Sequence, residues 1–164
     1  MAKTKKRSSK KPARAKKSAR RAPAKRKAAP KQAAASGIEA LAKKIVRMSQ
    51  GAHFGPDEIR ALYNPDAVSI EASGQSAVGY AGLDEKMKGW QMMATEMKSK
   101  ARNVWARGST ICIEWDSTVT TRDGRTLQLR EVAVHEIKNG KIQSERYYYN
   151  PAALAPPQAS LPGV

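Results

Sequence analysis

Apolar residues recur at three- and four-residue spacing through Ile38, Leu41, Ala42, Ile45 and Met48, next to Ser36-Gly37-Ile38-Glu39, whose S-x-x-E form is a capping box. That pattern predicts a first helix running to about Gly51. Pro56, followed by Asp57 and Glu58, reads as the first turn of a short second helix carrying Ile59, Leu62 and Tyr63 and ended by Asn64-Pro65. AVSIEA, residues 67–72, reads as a strand. Leu83, Met87, Trp90, Ala94 and Met97 return to helical spacing and predict a third helix between Gly79 and Met97. Everything afterwards is extended. RNVWAR, STICIEWDSTVTT, TLQLREVAVHEI and KIQSERYYYN are rich in β-branched and aromatic residues, with Arg122-Asp123-Gly124 and Asn139-Gly140 as hairpin turns between them. The last segment, AALAPPQASLPGV, has no periodicity and reads as frayed.

Charge divides the chain in two. Fifteen Lys or Arg lie within the first 31 residues, the first acidic residue is Glu39, and the whole chain carries a net charge of +17. Residues 1–36 hold no aliphatic side chain beyond Ala and the initiator Met, too little apolar surface to offset the entropy of ordering, so a disordered basic tail is expected there. Residues 37–155 form one domain of ordinary size, and residues 156–164 a flexible end. The tail's units KKPAR, RRAPAK and KAAPK resemble the tails of linker histones and bacterial histone-like proteins. Lys5, Lys6, Arg7, Lys10, Lys11, Lys16, Lys17, Arg20, Arg21, Lys25, Arg26 and Lys27 are the candidate nucleic-acid contacts. Such a tail binds through phosphate neutralisation, is blind to base sequence, and at about ten contacts gives a log–log salt slope near −9. DNA, RNA and acidic membranes all remain open as the polyanion, although no amphipathic anchor for stable membrane attachment is present. With no apolar run long enough to span a bilayer and no secretory signal, a cytoplasmic protein is expected, with association with the nucleoid left open. The lone Cys112 permits no internal disulfide and reads as an inert strand residue.

Helices first and a strand meander last predict an α+β domain, with helices over one face of a sheet. The order helix, helix, strand, helix, four strands, with YNPDAVSIEA before the third helix and HEIKNGKIQSERYYYNP at the end, resembles the nuclear transport factor 2-like superfamily. Within it the nearer likeness is to the SnoaL-like group related to polyketide cyclases and ketosteroid isomerases. The resemblance implies a cone-shaped fold in which three N-terminal helices pack on a curved antiparallel sheet and enclose a pocket, and it implies a homodimer.

It also directs attention to particular residues. The carboxylate base of the isomerases falls at Glu71, whereas their donor tyrosine and donor acid would fall near Ile45 and Ala133, neither of which can donate. A replacement set follows from strand alternation: if Ala133 and Ile137 face the pocket, so does His135, and the resemblance adds Glu145, Tyr147 and Tyr149. Glu71, His135 and Glu145 are therefore the candidate catalytic residues, suited to general acid–base work because burial can tune a carboxylate or an imidazole toward neutrality. Trp90, Met93, Met97, Trp115, Tyr147 and Tyr149 are the candidate pocket lining. His135-Glu136 has no second His at metal-ligand spacing and Gly74, Gly79 and Gly82 do not form a phosphate loop, so no metal or cofactor is expected. Two functions stand side by side: a pocket that binds, and in an enzyme would isomerise or cyclise, a small apolar or carbonyl-bearing molecule, and a non-enzymatic dimeric module that doubles the basic tails on a polyanion.

Overall fold

The computed structural model describes residues 30–50 and 54–155, with side chains from residue 37 onward. The expectations placed on residues 1–29, including all twelve candidate nucleic-acid contacts, and on 156–164 lie outside the described residues. Helix α1 spans Pro30–Ser49 and α2 Pro56–Leu62; strands β1 Tyr63–Ile70 and β2 Ser76–Val78 follow, then α3 Gly79–Met93. Four long strands complete the domain, β3 Ala94–Arg107, β4 Thr110–Thr121, β5 Thr126–Lys138 and β6 Lys141–Tyr148, before a 3-10 turn at Pro151–Leu154.

Helix α1 starts six residues before the capping box because Pro30 at a first helical position and Ala33-Ala34-Ala35 sustain the helix through Ser36. In α2 the first turn is closed by the Gly55 N–H, which donates to Glu58 Oε2 at 3.0 Å. This helix ends at Leu62, and Tyr63 is already extended. Helix α3 stops at Met93, four residues short of the periodicity, because Ala94 and Met97 pair with Thr121 and Val119 of β4. Ladder hydrogen bonds there override a spacing that either conformation satisfies. The turn at Asn139-Gly140, with φ of 55° and 74°, is of the kind anticipated between β5 and β6.

The six strands form one open sheet in the order β2-β1-β6-β5-β4-β3. Two expectations are corrected by it. The sheet is not wholly antiparallel, since β1 runs parallel to β6, aligning Ser69 with Glu145 and Ile70 with Arg146. A parallel pair needs a long crossover, and here β2, α3 and three strands intervene between the partners. Moreover, only two helices precede the first strand, the third following β2. Register breaks at Ala94/Glu96 and Ala101/Asn103 in β3, and at Glu136/Ile137 on β5, let the long strands bend.

Alternation decides the faces. On β4 Ile111, Ile113, Trp115, Ser117, Val119 and Thr121 are buried and their neighbours are not. On β5 Leu129, Ala133 and His135 are buried on the same inner face. Helix α1 lies against β3, α3 against β1 and β2, and α2 is wedged between α3 and β6. Ile59 and Leu62 of α2 join Ile142 of β6 in the core. Leu62 is 1 % exposed, so Leu62→Ala is expected to destabilise the domain by about 2–5 kcal/mol in denaturant unfolding. A loss below about 0.5 kcal/mol would mean that α2 is not anchored through this side chain.

Candidate functional site

Between the helices and the inner sheet face lies a cavity of about 1130 Å³. Leu83, Met87 and Trp90 of α3, Ile45 of α1, Trp115 of β4 and Phe54 give it apolar walls. Against these walls stand Glu71, Lys86, Glu131, His135, Glu145 and Tyr147. So large a void with polar groups at its wall has the size and lining of a ligand pocket rather than of a packing defect, and the core is not filled.

Lys86 organises the polar side. Its Nζ lies 2.6 Å from Glu71 Oε1 and 3.5 Å from Glu145 Oε1 and donates to Ser69 Oγ at 2.7 Å. The ammonium also sits 4.1 Å from the centre of the Tyr147 ring, a cation–π distance. Each carboxylate gives its other oxygen to a tyrosine hydroxyl: Tyr149 donates to Glu71 Oε2 at 2.9 Å and Tyr63 to Glu145 Oε2 at 2.7 Å. Glu71 is fixed just beyond β1 by its own backbone, its N–H donating to the Gln75 carbonyl and its carbonyl accepting from Gly74. Burial works against the charge of Glu145, but His135, Lys86 and the Tyr63 hydroxyl outweigh it and hold the carboxyl down at about 2.

Two groups are left outside this network. His135, 2 % exposed, places Nδ1 3.2 Å from Glu145 Oε2, close but off line for a good hydrogen bond, and Nε2 has no partner among the described residues. Its ring meets Tyr147 edge to face at 6.5 Å. Glu131, mostly buried two positions before Ala133 on the same strand face, has neither an ion pair nor a hydrogen bond among the described residues. Burial, and then the negative charge of Glu71, push its carboxyl up to about 7. The phenols of Tyr63 and Tyr147 are raised well above their usual range by burial and by Glu145, so both stay protonated and able to donate.

Glu71, His135 and Glu145 all border the cavity. Of the expected lining, Trp90, Met97, Trp115 and Tyr147 border the cavity. Met97 does so from β3 rather than from a helix and is 40 % exposed. Met93 does not border it, because α3 ends there and the chain turns into β3. Nor does Tyr149, whose hydroxyl reaches Glu71 from behind the wall. At the positions where the isomerase donors were absent, Ile45 and Ala133, the side chains are apolar and buried. Lys86 and Glu131 went unread in the sequence, yet both carried a signal. Lys86 occupies the stripe of Leu83, Met87 and Trp90, where an apolar residue would be routine, and Glu131 shares the period-two face of Ala133 and His135.

Fold and site together define an α+β pocket protein with a carboxylate–lysine network at the wall of an open cavity. The chain belongs to the family of SnoaL-like domains, whose model matches residues 50–145. Among curated proteins none matches. The fold is shared with a provisionally assigned SnoaL-like polyketide cyclase from Jannaschia sp. CCS1, at TM-score 0.66 and 17 % identity over 80 % of this chain and 99 % of that one. A protein of ketosteroid isomerase-like fold from Catenulispora acidiphila DSM 44928, solved with trimethylamine, aligns at TM-score 0.60 and 12 % identity over 68 % and 87 % of the two chains. TerC, co-crystallised with polyporic acid, aligns at TM-score 0.59 and 20 % identity over 71 % and 93 %.

The two displaced carboxyls have opposite effects on stability. Glu145, lowered in the folded state to about 2, stabilises the fold above the ordinary carboxylate range and loses that contribution as pH falls toward 2. Glu131, raised to about 7, binds its proton more tightly folded than unfolded, so stability falls as pH rises from the usual range near 4.5 through 7. Glu131→Gln is therefore expected to unfold at a higher temperature than the native protein at pH 8 and to show no such gain at pH 4. An equal effect at both values would place Glu131 in an unstrained setting.

Proposed function

We propose that the domain binds a small carbonyl-bearing molecule in its cavity and moves a proton on it, as an isomerase or cyclase of the SnoaL-like kind. The observation that carries this reading is the buried His135, with Nδ1 turned to the Glu145 carboxylate and Nε2 unpartnered at the wall of a cavity large enough for a ligand. With the proton on Nδ1 toward the carboxylate, Nε2 keeps its lone pair and serves as a general base. Glu145 acts on the substrate only through His135, as a positioning residue. The Tyr147 phenol beside the imidazole is the donor toward the oxygen on which negative charge develops. Glu71, held by Lys86 and Tyr149, keeps the ammonium in place and is not the free base that the isomerase comparison assigns to that position.

The chemistry balances without a cofactor. His135 Nε2 takes a proton from carbon next to the carbonyl, the C–H electron pair passes into the enolate, and Tyr147 hydrogen-bonds its oxygen. Return of the proton to the far carbon of a conjugated enolate isomerises the ligand; attack of the enolate carbon on a second carbonyl closes a ring, and the alkoxide so formed takes the proton back from the His135 imidazolium. With 2-tetralone in D2O the native protein is expected to accelerate deuterium incorporation beside the carbonyl, read by NMR. His135→Ala should lose about 10²–10⁴ of that rate. Its thermal unfolding should still be cooperative, and an unchanged exchange rate in the folded variant would rule out His135 as the base.

The basic tail adds a second element to the proposal, a sequence-independent polyanion tether supported by the charge asymmetry of the chain. Replacing Lys5, Lys6, Arg7, Lys10 and Lys11 by Gln in the full chain should flatten the log–log salt dependence of duplex DNA binding by up to about 4–5. An unchanged slope would remove these residues from the contact. The outer sheet face, where Trp105 is 54 % and Tyr148 53 % exposed, is the surface on which a second copy would pack.

A further inference from the structure

Seven charged side chains border the cavity, and their balance is uneven. Toward its exposed end Glu96 and Lys98 pair with each other at 3.0 Å, and Arg122 donates to the carbonyl of Gln91. On the inner side three carboxylates, Glu71, Glu131 and Glu145, share the single ammonium of Lys86. Lys86 is committed to Glu71, Ser69, Glu145 and the face of Tyr147, which leaves Glu131 without a counter-charge. The partnerless, almost fully buried Nε2 of His135 independently marks the same cavity as a place where a ligand's polar atoms are awaited.

We propose that the cavity selects ligands carrying a protonated amine, with the ammonium seated against Glu131 and the body of the ligand extending toward Tyr147 and His135. This rests on the reading of the cavity as a ligand pocket and narrows its substrate class to amine-bearing carbonyl compounds. The geometry sets the layout. Glu131 and His135 stand four residues apart on one strand face, about 13 Å between backbones, with Tyr147 paired to the intervening Ala133 and Trp115 paired to Glu131. An ammonium at Glu131 therefore meets a carboxylate and the wall of an indole, and leaves the far end of the ligand for the imidazole. An anionic ligand would add a fourth negative charge to an inner wall with one cation and is disfavoured by the same count.

Binding of a cation also settles the charge state of Glu131. Burial keeps the carboxyl protonated up to about neutral pH; Glu71 just beyond β1 and Glu145 on β6 also oppose its ionisation, and Lys86 from α3 favours it. His135 lies further along the same strand, and the Tyr147 phenol stays neutral. An ammonium supplies the missing charge, so amine binding displaces the Glu131 proton.

The test is calorimetry on the full chain with three ligands of one carbon frame: 2-aminotetralin, 2-tetralone and tetralin-2-carboxylate. At pH 8 the amine is expected to bind at least tenfold more tightly than the ketone, and the carboxylate most weakly. From pH 6 to pH 8 the amine affinity should rise about tenfold, with a buffer-dependent heat that reports proton release near pH 7. Glu131→Gln should cut the amine-to-ketone preference at least tenfold and abolish the pH dependence. A ketone or carboxylate that binds as tightly as the amine, an affinity flat in pH, or an unaltered preference in Glu131→Gln overturns the amine assignment and leaves the pocket reading standing. Absence of binding by all three overturns both.

Discussion

The ammonium of Lys86 is the element on which the arrangement of this pocket turns. It ties helix α3 to the residue that follows β1 and to β6. Two carboxylates brought within 4 Å of one another's counter-ion are tolerable in a cavity wall only because that cation stands between them. Each carboxylate then uses its second oxygen for a tyrosine hydroxyl, so the network is closed at both ends. Removing the cation would leave two anions facing each other across the parallel β1–β6 pair, where Ser69 is aligned with Glu145. The parallel pairing and the ion cluster are thus mutually dependent: the register brings the two acids close, and the lysine makes the register bearable.

A consequence is that the inner wall divides into satisfied and unsatisfied groups. Lys86, Glu71, Glu145, Tyr63 and Tyr149 saturate one another. His135 and Glu131 do not. Buried polar groups without partners cost free energy and are rare unless a ligand or water completes them. Both stand on the inner face of β5, a strand whose other inward residues, Leu129 and Ala133, are ordinary core. The buried, unpartnered nitrogens of His135 and the partly exposed, unpaired carboxyl of Glu131 therefore lie at the cavity, on an otherwise well-packed strand. The framework residues supply the stability that such positions forgo.

Much of this was legible in the chain because strands declare their faces. The strict alternation of STICIEWDSTVTT fixes Ile111, Ile113, Trp115 and Val119 inward, and the same period-two rule carries His135 to the pocket alongside Ala133. The Asn139-Gly140 turn sets the pairing at the start of the β5–β6 hairpin, but the register break at Glu136/Ile137, which no turn residue announces, is what brings Glu145 opposite His135 on the inner face. What the pattern concealed has physical causes. Hydrophobic periodicity counts a lysine as a solvent-facing residue, so Lys86 in the stripe of Leu83, Met87 and Trp90 looked like an interruption rather than a buried cation. The parallel β1–β6 contact joins residues more than seventy positions apart, and no local signal encodes it. Ala94 and Met97 fitted helical spacing, yet pairing with β4 claimed them.

The same lysine explains why two acids of one wall behave so differently. Glu145 has an ammonium, an imidazole nitrogen and a phenol within 3.5 Å, and these contacts win against burial. Glu131 has the burial and the neighbouring negative charges without the contacts, so its proton stays to about neutral pH. Environment alone thus separates a permanently ionised orienting carboxylate from a carboxyl that can exchange its proton for another cation. In the first case the charged carboxylate stands beside the imidazole; in the second the charge is withheld by burial up to about neutral pH.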